Sequence, residues 1–205
     1  MALKNVLILG VARAGKTTLA RMIKEKYPHY NLIHSDSIKW ALIRAEDKEK
    51  YFRENIDVQC KFETSEYFQK VLLEFFNSCI KRRSVGFQDC GHIMESGQLT
   101  PELVKQFIDF ENTMPICLGH GELDANGIYN LCKTHDKEHD WSFGLPDDKL
   151  RINSYNWSEQ NKLLKQTCAK YGVRYIDTSK NREKVLSTIL DGIEKTLNNG
   201  VVKSI

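Results

Sequence analysis

Apolar positions along this chain fall into two alternating rhythms. Short stretches at 5–9, 30–33, 85–91, 114–119 and 173–177 have strand length and are bounded by turn residues, which predicts five strands, the first a continuous run short enough to be buried and the third including its exit. Between them apolar residues recur three and four apart. Such stripes begin at Leu19, Ile38, Phe68, Leu103 and Val185, and one emerges from Ser158 through Leu163, Leu164, Cys168 and Tyr171. Each predicts a helix with one buried face. Punctuation agrees: Tyr27-Pro28 stops the first helix, Thr64 and Thr100-Pro101 offer helix starts, and Gly172 is a natural C-cap. Strand and helix alternate throughout, which implies an α/β fold with a parallel sheet covered on both faces. No repeat or linker interrupts it, so 1–205 reads as a single domain.

Two stretches break the rhythm. Residues 45–62 are highly charged, with Tyr51, Phe52, Ile56 and Val58 as apolar anchors, and predict a partly exposed helical flap over about 37–63. Between about 120 and 150 the periodicity fades, His135 to Trp141 is polar, and Gly144, Pro146 and Asp147 punctuate the exit. A polar excursion of that length inside a compact domain suggests a lid.

Bulk composition narrows the function classes. With 205 residues, 41% hydrophobic and 28% charged, the chain can bury one substantial core. A net charge of +3 gives no argument for a nucleic-acid partner. No apolar run approaches the roughly 20 residues a membrane span needs, so the expectation is a cytoplasmic protein with no membrane partner. Six cysteines without paired spacing read as reduced core residues. Cys132-x-x-His135-x-x-x-His139 lacks a fourth ligand at matching spacing, which favours a solvated polar lid over a zinc site.

The chemistry is concentrated at the start. The run 5–9 ends in Gly10-Val11-Ala12-Arg13-Ala14-Gly15-Lys16-Thr17-Thr18 and passes into a helix, the Gly-x-x-x-x-Gly-Lys-Thr spacing of a phosphate-binding loop between strand and helix. Gly10 and Gly15 let the backbone turn its N–H groups toward phosphate oxygens, and the helix beginning near Lys16 presents its positive dipole end to the same anion. Lys16 supplies a point charge for the β- and γ-phosphates, and Thr17 a hydroxyl for Mg²⁺. At the exit of the second strand, Asp36 lies where α/β sheets gather ligands, and there it also suits a helix cap.

The succession of this loop, Asp36, the lid stretch and Tyr175-Ile176-Asp177-Thr178-Ser179 before the last helix resembles the adenylate-kinase-like family of small P-loop kinases. The resemblance implies a three-layer P-loop NTPase fold with strand order 2-3-1-4-5 and a lid insertion. It also implies transfer of the γ-phosphoryl group of ATP, with Mg²⁺, to a hydroxyl or phosphate of a small-molecule acceptor. Carried over by position, Gly10, Arg13, Ala14, Gly15, Lys16, Thr17 and Thr18 hold the nucleotide, and Ser179 and Arg182 belong to the segment packing on its base. Asp36, in Asp36-Ser37-Ile38-Lys39, resembles the acid of an Asp-x-x-Arg element that accepts the acceptor's proton, with lysine replacing the arginine. Asp89, which can equally be a turn residue before Gly91, matches a position near Mg²⁺ alongside Thr17. Family lids bring arginines over the transferring phosphate, yet no arginine occurs between Arg83 and Arg151. Arg13 and Lys133, or Lys137 and Arg151, are the candidates to act with Lys16 and Asp36 in catalysis. Trp40, Arg44, Tyr51, Phe52 and Arg53 leave a nucleotide acceptor open. The missing lid arginines keep a regulatory ATPase or a nucleotide-binding module as alternatives, and a 5′-hydroxyl nucleic-acid kinase would use the same chemistry.

Overall fold

All six residues of β1 (Asn5–Gly10) are buried, so the strand needs a neighbour on each side and cover on each face. In the computed structural model, which describes residues 5–81, 90–138 and 140–198, it has both. β1 pairs in parallel with β3 (His92–Ser96) and with β4 (Thr113–Gly119). The edges are β2 (Asn31–His34), paired with β3, and β5 (Arg174–Asp177), paired with β4. The order is β2-β3-β1-β4-β5, as the resemblance implies. The register sets Leu9 beside both Ser96 and Cys117, so the three central strands end together and their exits share one edge.

Helices cover the sheet: α1 (Lys16–Lys26), α2 (Ser35–Ala45), α3 (Glu49–Glu54), α4 (Ile56–Glu63), α5 (Glu66–Lys81), α6 (Pro101–Phe107), α7 (Ala125–His135), α8 (Asp147–Tyr171) and α9 (Arg182–Asn198). Leu7, Ile8 and Leu9 join Leu19 and Ile23 of α1 and Phe68, Leu72 and Phe76 of α5 in the main core. Leu73 is also buried, whereas Phe75 is exposed. Ser65, rather than Thr64, caps α5 by accepting from the Phe68 amide. The flap stretch forms the short helices α3 and α4 after α2. Among the described residues no helix is long and apolar enough to cross a membrane.

Three expectations about where elements lie also change. The third strand is His92–Ser96, not 85–91. Residues 85–89 lie outside the described residues, and the true strand hides behind His92, Glu95 and Ser96, polar residues at an otherwise apolar run. The stretch 120–150 is not free of periodic structure: Asp124 Oδ1 caps α7 by accepting from the Gly127 amide, and Ile128 and Cys132 pack with Leu150 and Trp157 in a second small core. The last connecting helix begins at Asp147, well before Ser158, because the inward face of its first half carries Leu150, Ser154, Trp157, Ser158 and Asn161. That face has helical spacing but small polar side chains, so an apolar stripe does not reveal it.

Candidate active site

The loop between β1 and α1 sits at the shared strand exits, and its backbone requires its residues. Gly10 has φ 141°, and a Cβ there would stand 2.0 Å from the Leu118 carbonyl oxygen of β4. Gly15, φ 92°, is the N-cap of α1, with no capping side chain and no acidic residue in the first turn. The helix end is thereby left to an external anion. Arg13 holds φ 63° without being glycine, a conformation that costs about 1–2 kcal/mol. Its guanidinium offsets this by bonding Asp140 through both nitrogens, Nη1–Oδ1 at 2.9 Å and Nη2–Oδ2 at 2.8 Å, and by pairing with Asp136. Burial works against the Arg13 charge, but its bonds to the two carboxylates outweigh it and raise the pKa.

Two further contacts pin the loop. His120, just after β4, approaches Ala12 O through Nε2 at 2.9 Å, and since a carbonyl only accepts, Nε2 carries the proton. Its Nδ1 is buried with no partner among the described residues. Burial pulls the imidazole down to about 4, so it is neutral at pH 7. Thr178, after β5, places Oγ1 2.9 Å from Ala14 O and 3.0 Å from Gly119 O.

Lys16 Nζ donates to Val11 O at 2.7 Å, inside the loop. Burial pushes its ammonium below the usual lysine range, opposed first by Glu95 and then by Asp36. Thr17 Oγ1 lies 3.4 Å from Glu95 Oε2, and Glu95 Oε1 is 2.9 Å from His34 Nδ1. Glu95 is a buried carboxylate near the end of the strand beside β1. Asp89, the expected acid near Mg²⁺, lies outside the described residues. The criterion, an acid at a short strand's exit, applied to the true third strand selects Glu95.

Asp36 occupies the first turn of α2 without capping it. Its side chain is 63% exposed, and Oδ1 accepts from Gln98 Nε2 at 3.0 Å and pairs with Lys39 Nζ at 2.9 Å. Gln98 Oε1 in turn accepts from Ser35 and Ser96. Partial desolvation pushes the Asp36 carboxyl up, but Lys39 and the Gln98 hydrogen bond hold it below its ordinary range. Asp36 is therefore an ionised group near Lys16, fixed by Gln98, a residue no motif announced.

The other expected residues divide. Ala14 is buried within the loop, and Thr18 is exposed in the first turn of α1. Arg182, first in α9, lies over the loop, its Cδ 3.5 Å from where a Gly15 Cβ would be, and forms no salt bridge among the described residues. The Ser179 amide donates to Asp177 Oδ1 at 2.8 Å, and the residue lies three positions before α9, too far to be its N-cap. Lys133 pairs with Asp147 at 2.6 Å on the outer side of α7, and Arg151 stacks over the Tyr129 ring at 4.2 Å. Arg44 and Arg53 both bind Glu49, with Arg53 also 4.5 Å over the Trp40 ring.

No protein-family model matches the chain, and no curated protein matches it in sequence. Solved structures do match in three dimensions. Shikimate kinase from Acinetobacter baumannii in complex with shikimate aligns over 94% of each chain with TM-score 0.55 and 17% identity. A gluconokinase from Sinorhizobium meliloti 1021 aligns over 100% of each with TM-score 0.53 and 11% identity. Shikimate kinase from Bacteroides thetaiotaomicron aligns over 93% of this chain and 98% of its own, with TM-score 0.53 and 14% identity. This protein thus has the fold of the small adenylate-kinase-like P-loop kinases, with a five-stranded parallel sheet in the order 2-3-1-4-5. At such identities the likeness is one of fold, and the activity has to be argued from the site.

Proposed function

We propose that the protein is an ATP- and Mg²⁺-dependent kinase that phosphorylates a hydroxyl group of a small molecule. The observation that carries this reading is the accessible, ionised Asp36 held beside a phosphate-binding loop whose lysine feels its charge. Loop amides, the uncapped start of α1 and Lys16 hold the β- and γ-phosphates. Arg182, over Gly15 and without a salt bridge among the described residues, is the guanidinium best placed to meet the nucleotide, whereas Lys133 would first have to leave Asp147. The donor set fits Mg²⁺: the Thr17 hydroxyl and the Glu95 carboxylate are hard oxygens 3.4 Å apart. No group of three or more His, Cys, Asp or Glu suited to a metal occurs among the described residues. Mg²⁺ prefers such sparse protein ligation, completed by water and phosphate. When bound it would neutralise charge on the β- and γ-phosphate oxygens.

Asp36 orients the acceptor hydroxyl. The hydroxyl oxygen forms a bond to the γ-phosphorus as the bond from that phosphorus to the β–γ bridging oxygen breaks. ADP departs, and the hydroxyl proton passes to Asp36. A carboxylate held below its usual pKa is a weak base, which suits a loose transition state in which the proton moves late. The test follows γ-labelled ATP by thin-layer chromatography with hydroxyl acceptors. Asp36→Asn is expected to lower transfer about 10²-fold or more while calorimetric ATP binding persists. Label released only as inorganic phosphate would instead mark a regulatory ATPase, and unchanged turnover in the variant would remove Asp36 from the mechanism.

A further inference from the structure

Among the described residues, the cation bonded to Asp36 is already shared with a second carboxylate. Lys39 is 6% exposed, and its ammonium is held between Asp36 Oδ1 at 2.9 Å and Glu63 Oε1 at 3.0 Å. Gln59 donates to the same Glu63 oxygen at 2.6 Å, so α4 presents Gln59 and Glu63 inward. Lys61, two residues from each, is turned to the opposite side of the helix and is exposed. Arg44 and Arg53 are bound to Glu49, and Lys48 to Glu46. Two carboxylates, Asp36 and Glu63, thus share Lys39, while Glu95, bonded to His34, lies with Thr17 and Lys16 at the phosphate loop. Several neutral polar groups stand nearby. Ser35, Ser96 and Gln98 bond one another, and Gln160 of α8 reaches Gly97 O at 3.4 Å. Asn156 and Asn153 lie four and seven residues before Gln160 on the same stripe of that helix. Amides and hydroxyls match the alternating donors and acceptors of a polyol. A carboxylate or phosphate on the acceptor would meet Asp36 and Glu63, and the cation between them, Lys39, is already shared by both.

We propose that the acceptor is a polyhydroxylated compound without an anionic group, either uncharged or bearing protonated amines, and that Glu63 sets this preference by neutralising Lys39. This inference rests on the kinase reading above and adds the class of acceptor to it. The products are ADP and a phosphate monoester of the polyol.

The experiment incubates the full chain with γ-labelled ATP, Mg²⁺ and a fixed panel: glucose, myo-inositol and adenosine as uncharged acceptors, kanamycin as an amine-bearing one, and shikimate, gluconate and AMP as anions. The wild type is expected to label an uncharged or amine-bearing member with kcat/KM at least about tenfold above every anion. Glu63→Gln, which leaves Lys39 with one carboxylate, is expected to shift that ratio toward anions by about tenfold. Adding Lys39→Gln to the same variant is expected to abolish the shift, an outcome a merely structural role for Glu63 would not give. Wild-type transfer to an anion at a rate equal to or above the uncharged members overturns the charge inference and leaves the kinase standing, and an unmoved ratio in Glu63→Gln does the same. Label that stays on ATP, or leaves only as inorganic phosphate, with every compound overturns both.

Discussion

Arg13 is the residue at which backbone strain and charge pairing can be separated by experiment. Its φ of 63° is shared by any L residue placed there, so Arg13→Ala keeps the strain and removes only the bonds to Asp136 and Asp140. The side chains of Arg13 and Asp136 are 13% and 6% exposed, which puts the loss at the lower end of the range for breaking a buried pair, about 3 kcal/mol. For a chain of this length that corresponds to a fall in Tm of about 6–12 °C. Arg13→Gly loses the same bonds but relieves about 1–2 kcal/mol of left-handed strain. Greater freedom of the unfolded chain takes back about 0.4–1 kcal/mol. The glycine variant should therefore melt about 2–3 °C above the alanine variant, though well below wild type. Differential scanning calorimetry without nucleotide measures all three. An alanine variant within about 1 °C of wild type would refute the pairing argument, and a glycine variant melting below alanine would refute the strain argument.

Other consequences can be measured separately. Glu95→Gln should raise the Mg²⁺ concentration needed for half-maximal transfer about tenfold or more, with Mg²⁺-free nucleotide binding much less affected; an unchanged Mg²⁺ profile would take Glu95 out of the metal site. His120 has a folded pKa of about 4 against an ordinary 6.5, through burial first, with Arg182 and Lys16 also lowering it and Asp177 opposing. The unfolded chain therefore binds more protons between these values, so this contribution, about 3 kcal/mol at neutral pH, is complete above pH 6.5 and lost as pH falls toward 4. Denaturant titrations of wild type and His120→Asn across that window should show the wild-type slope flatten in the variant; parallel slopes would contradict it. Gly119→Ala would set a Cβ 2.3 Å from the Tyr175 hydroxyl and 2.4 Å from Asn161 Oδ1. Displacing the bonds that Asn161 makes to Tyr175 and the His120 amide should cost about 2–4 kcal/mol, and a stability loss under about 0.5 kcal/mol would show that the junction can yield.

The elements readable from the chain are those whose causes are local. The loop from Gly10 to Thr17 announces itself because a tight turn, a lysine and a helix start must be adjacent in sequence to work together. Strands β1 and β4 are apolar along most of their length because both faces of the central sheet are covered, and the edge strands β2 and β5 keep two apolar residues each. β3 escaped because its exit is polar, where Glu95 meets Thr17 and His34 and Ser96 bonds Gln98. The first half of α8 escaped for a related reason: Ser154, Ser158 and Asn161 are buried, and Asn161 bonds the His120 amide, Gly121 O and the Tyr175 hydroxyl instead of packing as an apolar residue.

Partnership at a distance was decided only by the tertiary structure. Arg13 read as a free catalytic cation along the chain, yet it is bound to carboxylates 123 and 127 residues away. Lys39 read as a substitute for an arginine, and Glu63, 24 residues on, has claimed half of it. Asp36 could have been only a helix cap until Gln98, 62 residues later, took its oxygen. The order of residues along the chain dictates what the backbone can do within a few positions, because sterics and main-chain hydrogen bonding act over that range. Whether a charge is spent or available depends on which distant side chain folding brings within about 3 Å, and so the loop from Gly10 to Thr17 was legible in sequence while the partners of Asp36, Lys39 and Arg13 were not.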